Sequence, residues 1–351
     1  MKDKSQTLVI LTPGFPKDET DSTCLPLQQS LLLTISRNYP TIQLLILSFQ
    51  YPFTESTYTW NGIRVKSFGG KNKPGIQRWW LWRKIKAELR LIHEQNKITG
   101  ILSFWCGECA LLGSRFAAKH QLIHRCWILG QDAKATNKYV SRIKPDKNEL
   151  IALSDFIAGE MEKNHGIRPF TIIPPGIDPG MFPSNGLEKT IDILGAGSLI
   201  PLKRFDLFVE VVADIRKEIP WLRVAICGEG PERKKLEEQI SLLDLKETII
   251  LTGELPHIEL LKLMQHTKIF LHTSSYEGFG MVCLEALYAK AKVISFVKPM
   301  NAAIHNWIIA DTKEIMLKKI PGLLKTDTSY ESVLPYKIKD CAQKIVGLFE
   351  Q

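Results

Sequence analysis

Short apolar runs alternate with longer amphipathic stretches along almost the whole chain, the pattern of parallel strands covered by helices. Strands are predicted at 7–12 (TLVILT), 42–48 (IQLLILS), 100–104 (GILSF), 125–129 (RCWIL) and 149–153 (ELIAL). A second series follows at 190–195 (TIDILG), 222–227 (LRVAIC), 248–252 (TIILT), 268–272 (KIFLH) and 291–296 (AKVISF). Between them, 172–188 (IIPPGIDPGMFPSNGLE) holds four prolines and three glycines, so neither a helix nor a long strand persists there. The expected organisation is a first domain at 1–172, a linker at 173–189, a second domain at 190–334 and a final segment at 335–351. In that segment Ile338, Cys341, Ile345, Val346 and Phe349 fall at helical spacing and predict a terminal packing helix. Each series reads as a doubly wound, Rossmann-like α/β domain. Such sheets take ligands at the carboxyl ends of their strands, and two of them facing each other leave a central cleft.

A chain of 351 residues accommodates two cores, at about 150 residues for each. Its 44% hydrophobic and 24% charged residues exclude a disordered chain, a collagen-like repeat and a small disulfide scaffold. Lys and Arg (46) exceed Asp and Glu (37), a net charge of +9 that suits an anionic partner: a nucleotide, a phospholipid surface or a nucleic acid. Seven cysteines without a repeating spacing point to a reducing cytoplasm rather than to a disulfide framework. The apolar run near the N-terminus is too short for a signal peptide, and no run approaches the roughly 18–20 residues that span a bilayer. The expectation is a soluble protein, or one attached to a membrane only at its face.

The segment SSYEGFGMVCLEALYAK (274–290) carries the most chemistry. Glu277 and Glu285 are separated by seven residues, and Gly278 and Gly280 let the backbone turn tightly between them. A helix beginning near Gly280 points its first N–H groups and its positive dipole end at an anion, and a diphosphate fits there. Glu285 then lies about one and a half turns into the helix, where its carboxylate can accept from the vicinal hydroxyls of a ribose. Glu277, on the loop, faces the sugar. The bland alternative is a solvated loop and an ordinary helix with Met281, Leu284 and Leu287 in the core.

This segment resembles the retaining, nucleotide-sugar-dependent glycosyltransferases of family four, which have the two-domain GT-B fold and an E-x7-E hallmark. The resemblance extends to ILGAGSLIPLKRFD (193–206), CGEGPERKKL (227–236), TGELPH (252–257) and the IIPPGID linker (172–178). It implies a metal-independent hexosyltransferase without a cofactor, using a UDP-, GDP- or other nucleotide-sugar. The implied acceptor is a glycan or glycolipid, as in bacterial cell-surface polysaccharide or lipopolysaccharide-type biosynthesis. It assigns catalysis to Glu277, Lys203 and Asp132, with Lys203 stabilising charge on the departing diphosphate. Donor contacts fall to Gly197, Ser198, Lys203, Arg204, Gly228, Glu229, Gly278, Phe279, Gly280 and Glu285. Relatives pair the lysine with an arginine where this chain has Ser198 or Leu199, and Arg204 is the candidate substitute.

In the first domain, WILGQDAK (127–134) matches an HGxD-like turn, with Leu129 at the histidine position and Asp132 near the transferred sugar or, equally, a helix cap. Gly14, Glu108 and Asp132 are the acceptor-side candidates, and Thr23 shares the loop of Gly14. FWCGECA, beginning at Phe104, places Cys106 and Cys109 as in a thioredoxin-like site, a lesser redox alternative to small buried thiols. GIQRWWLWRKIKAELRLIH (75–93) forms, as a helix, an apolar stripe of Trp82, Ile85, Leu89 and Ile92 flanked by Arg83, Lys84, Lys86 and Arg90. It suits either a core-facing helix or an anionic membrane surface. Near 295–307, Lys298 and Asn301 stand where relatives have a glycine turn. A dehydrogenase is excluded because the third position of G-x-G-x-x-G, after Gly195 and Gly197, is Ile200. A non-catalytic carbohydrate- or nucleic-acid-binding relative is the remaining alternative, although no nucleic-acid-binding motif accompanies the basic stretch.

Overall fold

The computed structural model describes residues 6–183, 188–325 and 331–350. Residues 184–187 of the expected linker lie outside the described residues, as do 1–5, 326–330 and 351 of the flanking segments. The chain divides into two compact units, one of Met1–Gly176 with Tyr336–Gln351 and one of Ile177–Pro335.

The first unit contains β1 (Gln6–Gly14), α1 (Pro26–Asn38), β2 (Ile42–Tyr51), β3 (Glu55–Trp60), β4 (Ile63–Phe68), α2 (Ile76–Gln95) and β5 (Lys97–Phe104). It continues through α3 (Glu108–His120), β6 (Ile123–Ile128), α4 (Lys138–Ile143), β7 (Leu150–Ala152), α5 (Asp155–His165) and β8 (Thr171–Ile172). Among the described residues these strands form an eight-stranded sheet in the order β3-β4-β2-β1-β5-β6-β7-β8. All pairs are parallel except β3 with β4. Leu8, Val9, Ile10 and Leu11 of β1 are all buried, as a parallel strand covered on both faces requires.

The β3–β4 hairpin is absent from the strands predicted above. It turns on Asn61 and Gly62, whose φ of 45° and 81° make the two-residue turn that fits strand twist, and Trp60 pairs directly with Ile63. Helix α2 buries Leu81, Ile85, Leu89 and Ile92, each contributing about 1.5–3 kcal/mol against exposure. The stripe expected at 75–93 therefore faces the core, with Leu81 in the place given to Trp82. Trp82 is half-buried and donates its Nε1 hydrogen to Glu108 Oε2 at 2.9 Å.

The second unit contains β9 (Ile191–Ala196), α6 (Phe205–Glu218), β10 (Val224–Cys227), α7 (Arg233–Leu242), β11 (Ile249–Gly253), α8 (His257–Gln265) and β12 (Thr267–His272). After these come α9 (Met281–Tyr288), β13 (Lys292–Ser295), β14 (Trp307–Ile309) and α10 (Lys313–Lys325). The described strands make a six-stranded sheet ordered β11-β10-β9-β12-β13-β14, parallel throughout. This is a doubly wound order whose direction reverses between β9 and β12, the position where such sheets take nucleotides.

The last helix, α11 (Ile338–Gly347), belongs to the first unit and packs on α1, burying Ile338, Cys341, Ala342, Ile345 and Val346. Two glycines admit it closely. A Cβ on Gly176 would lie 2.3 Å from Ile338 N, and one on Gly100 would lie 2.2 Å from the Phe349 ring.

Candidate functional site

In the second unit, the loop between β12 and α9 carries Glu277. Gly280 adopts a φ of 86° as it enters α9, a conformation costly for any residue with a side chain, and Gly278, Phe279 and Gly280 are buried. A second loop, between β9 and α6, reaches the same place. Ser275 N donates to Leu202 O at 3.0 Å and Thr273 Oγ1 to Lys203 O at 2.9 Å. These bonds set Lys203 Nζ 2.5 Å from Glu277 Oε2. Behind them, a Cβ on Gly228 would fall 1.9 Å from Gly197 O, so the loops after β9 and β10 are in backbone contact. Gly197 itself stands against the Lys203 stem, its Cβ position 3.6 Å from Lys203 Cε.

The electrostatics follow from this packing. Burial raises the Glu277 carboxyl, but a hydrogen bond from His272 and the charge of Lys203 outweigh it and hold the group down at about 2. His272 Nε2 lies 3.4 Å from Glu277 Oε2 and 3.2 Å from Ser274 Oγ. Its burial lowers the imidazole's own pKa, so it serves as a neutral donor. A fixed ammonium beside an ionised carboxylate at a strand's carboxyl end is a suitable receptor for a ligand on which negative charge develops.

Glu285, buried in α9, offers Oε1 to His257 Nε2 at 2.8 Å. Burial lowers the imidazole, yet the hydrogen bond and charge of Glu285 raise His257 above its ordinary value. Neither His257 nor His272 was singled out by the sequence. An isolated histidine has no spacing signal, and these two acquire partners only through the fold.

The remaining donor-side candidates are less engaged with this cluster. Arg204 has a φ of 52° and directs its Nε to Asp206 Oδ1 at 3.2 Å. Glu229 bonds Arg233 of α7. Ser198 is exposed, as are Lys298 and Asn301.

In the first unit, Gly14, Glu108 and Asp132 all sit at the carboxyl edge of the sheet. Gly14 pairs with Tyr51, and Thr23 of the same loop is exposed. Gln50 and Trp82 donate to the two Glu108 oxygens, tying α3 to β2 and α2. Asp132 Oδ1 accepts from Gly130 N at 2.8 Å and Leu129 N at 3.2 Å, and Oδ2 accepts from Cys106 N at 2.8 Å. Burial nevertheless carries this carboxyl up to about 6. Such a carboxylate straps the loops after β5 and β6 together, the capping alternative. Cys106 and Cys109 are buried, and burial pushes the Cys109 thiol well up. That is the reverse of the shift a redox nucleophile needs.

Two α/β units in one chain, each built on a largely parallel sheet, define the GT-B glycosyltransferase fold. Residues 180–306 match the family Glycosyl transferases group 1. Two curated relatives agree. The chain is 28% identical over 186 residues to the UDP-N-acetylglucosamine–peptide N-acetylglucosaminyltransferase GtfA subunit of Streptococcus parasanguinis, covering 51% of this chain and 36% of the relative. It is 29% identical over 176 residues to the 2-deoxystreptamine N-acetyl-D-glucosaminyltransferase of Niallia circulans, covering 50% and 42%. The chain thus spans well under half the length of either relative. Anabaena Alr3699/HepE in complex with UDP and glucose shares the fold, with a TM-score of 0.67 at 15% identity over 98% of this chain and 97% of that one.

Proposed function

We propose that this protein transfers a sugar, with retention and without a metal ion, from a nucleotide-diphosphate sugar to a hydroxyl of a glycan or lipid-linked acceptor. The observation that carries this is the pair of carboxylates with seven residues between them, Glu277 on Lys203 and Glu285 on His257, flanking the glycine turn into α9. The glycosyl–phosphate bond breaks and the acceptor oxygen bonds the anomeric carbon on the same face. The acceptor proton passes to a phosphate oxygen of the leaving nucleoside diphosphate. Lys203 and the first amides of α9 offset the charge developing on that diphosphate, which is the work a metal does elsewhere. The names of the relatives favour UDP-N-acetylglucosamine as donor.

The test is thermal stabilisation by a panel of UDP, GDP, ADP and CMP sugars, with Glu285→Ala as control. UDP-N-acetylglucosamine is expected to raise the melting temperature of the wild type and not of the variant. A panel without any shift would remove the donor assignment.

The proposal includes contact with an anionic membrane, through a different face of α2 than the sequence suggested. Among the described residues no helix is long and apolar enough to cross a membrane. The first turns of α2, however, leave Ile76, Trp79 and Trp80 exposed at 72%, 49% and 53%. Arg83 lies over both tryptophan rings, 4.8 and 5.3 Å from their centroids, and Lys71 and Lys73 are exposed on the preceding loop. Amphipathic rings with flanking cations suit the headgroup layer. Wild-type protein is expected to sediment with phosphatidylglycerol vesicles in a salt-sensitive manner, and Trp79→Ser/Trp80→Ser to lose about tenfold or more in partitioning. Equal sedimentation of the two proteins would exclude this face.

A further inference from the structure

We propose that His257 is a positioning residue for Glu285, fixing the carboxylate that receives the ribose hydroxyls and thereby setting the preference for a ribonucleotide donor. This rests on the reading of Glu285 as the ribose ligand. His257 is the first residue of α8, delivered by the turn at Gly253, whose φ is 76°. Its Nε2 stands 2.8 Å from Glu285 Oε1, with the two side chains only 14% and 8% exposed. A carboxylate has no donor, so the imidazole donates, and one N–H on Oε1 removes the rotation about the last side-chain bond. Oε2 is then the oxygen without a hydrogen-bond partner among the described residues.

Stability alone does not account for the pair. A buried ion pair is seldom more stabilising than apolar side chains of similar volume, and this one places an imidazole at a helix N-terminus, where the dipole opposes its charge. Glu285 nonetheless raises the proton affinity of His257 against the effect of burial. The geometry suits a carboxylate that must stand ready before the ligand arrives.

The experiment measures the affinities of UDP and 2′-deoxy-UDP for wild type, Glu285→Gln, His257→Phe and His257→Gln by calorimetry, with a melting curve for each variant. Wild type is expected to prefer UDP by about tenfold or more, the effect of a hydrogen bond to a charged group. Glu285→Gln and His257→Phe should bring the ratio close to one, whereas His257→Gln, which keeps an N–H donor, should restore most of it. His257→Ala replaces His257→Phe if the ring does not fold in place. A full wild-type ratio in a folded His257→Phe or His257→Ala protein overturns the proposal. Absence of any preference in the wild type instead overturns the assignment of Glu285, and the proposal with it.

Discussion

Lys203→Ala is expected to lower kcat by about 10²- to 10³-fold, the usual effect of removing one fixed donor from the place where transition-state charge develops. The ammonium is held by a short turn, by the tie between Thr273 and its own carbonyl, and by Glu277. An exposed lysine nearby could not replace it, because its entropy and hydration would have to be overcome at each turnover. The fold should survive, since the Lys203 side chain keeps 19% of its exposure and the core beneath it is apolar. Release of nucleoside diphosphate from donor and acceptor measures the rate. A Lys203→Ala protein with more than a tenth of wild-type kcat would contradict the role given to the ammonium. Asp132→Asn is the companion variant. If the leaving phosphate takes the acceptor proton, its kcat stays near wild type.

The second large effect is on stability and depends on pH. The folded Glu277 carboxyl lies at about 2 against an ordinary 4.5, and at about 1.4 kcal/mol per unit the difference corresponds to about 3 kcal/mol. A depressed carboxyl contributes fully above its unfolded value and loses that contribution as the pH falls through its folded one. Glu277→Gln should therefore be less stable than wild type by a few kcal/mol at pH 7, with the gap closing between about pH 4.5 and 2. Asp132 works in the opposite direction. Its raised carboxyl adds stability as the pH falls from about 6 towards its ordinary 3.8. The difference between variant and wild type isolates Glu277, because Asp132 is common to both. Urea midpoints across pH 7 to 3 decide the matter, and a gap of constant size would refute the ion-pair account.

The local geometry of the second unit's candidate site was legible in the sequence where it rested on local order. The seven-residue spacing, the glycine needed at a φ of 86° and the lysine after Pro201 all lie within short segments. What the sequence concealed depends on side chains meeting across the fold. His257 and Glu285 are 28 residues apart, and Asp132 meets Cys106 across 26. Arg204, at a left-handed backbone angle, meets Asp206. Leu81 and Trp82 are adjacent on the edge of one helical stripe, and periodicity alone does not choose between them. The hairpin between β3 and β4 was different: Asn61-Gly62 signals such a turn directly. It was obscured by strands whose polar outer face, ESTYTW, breaks the apolar pattern of the parallel strands around it.

The position of α11 makes the second unit an insertion within the first. Residues 177–335 are one uninterrupted length of chain, so that unit can be excised with a single start and stop. The first unit cannot, because a fragment ending at 176 would expose the surface of α1 that Ile338, Cys341, Ile345 and Val346 cover and leave a hollow beside Gly100. A short linker joining Gly176 to Tyr336 would keep both pieces of the first unit in one polypeptide, and a circular permutant opened between the units would make α11 its leading helix.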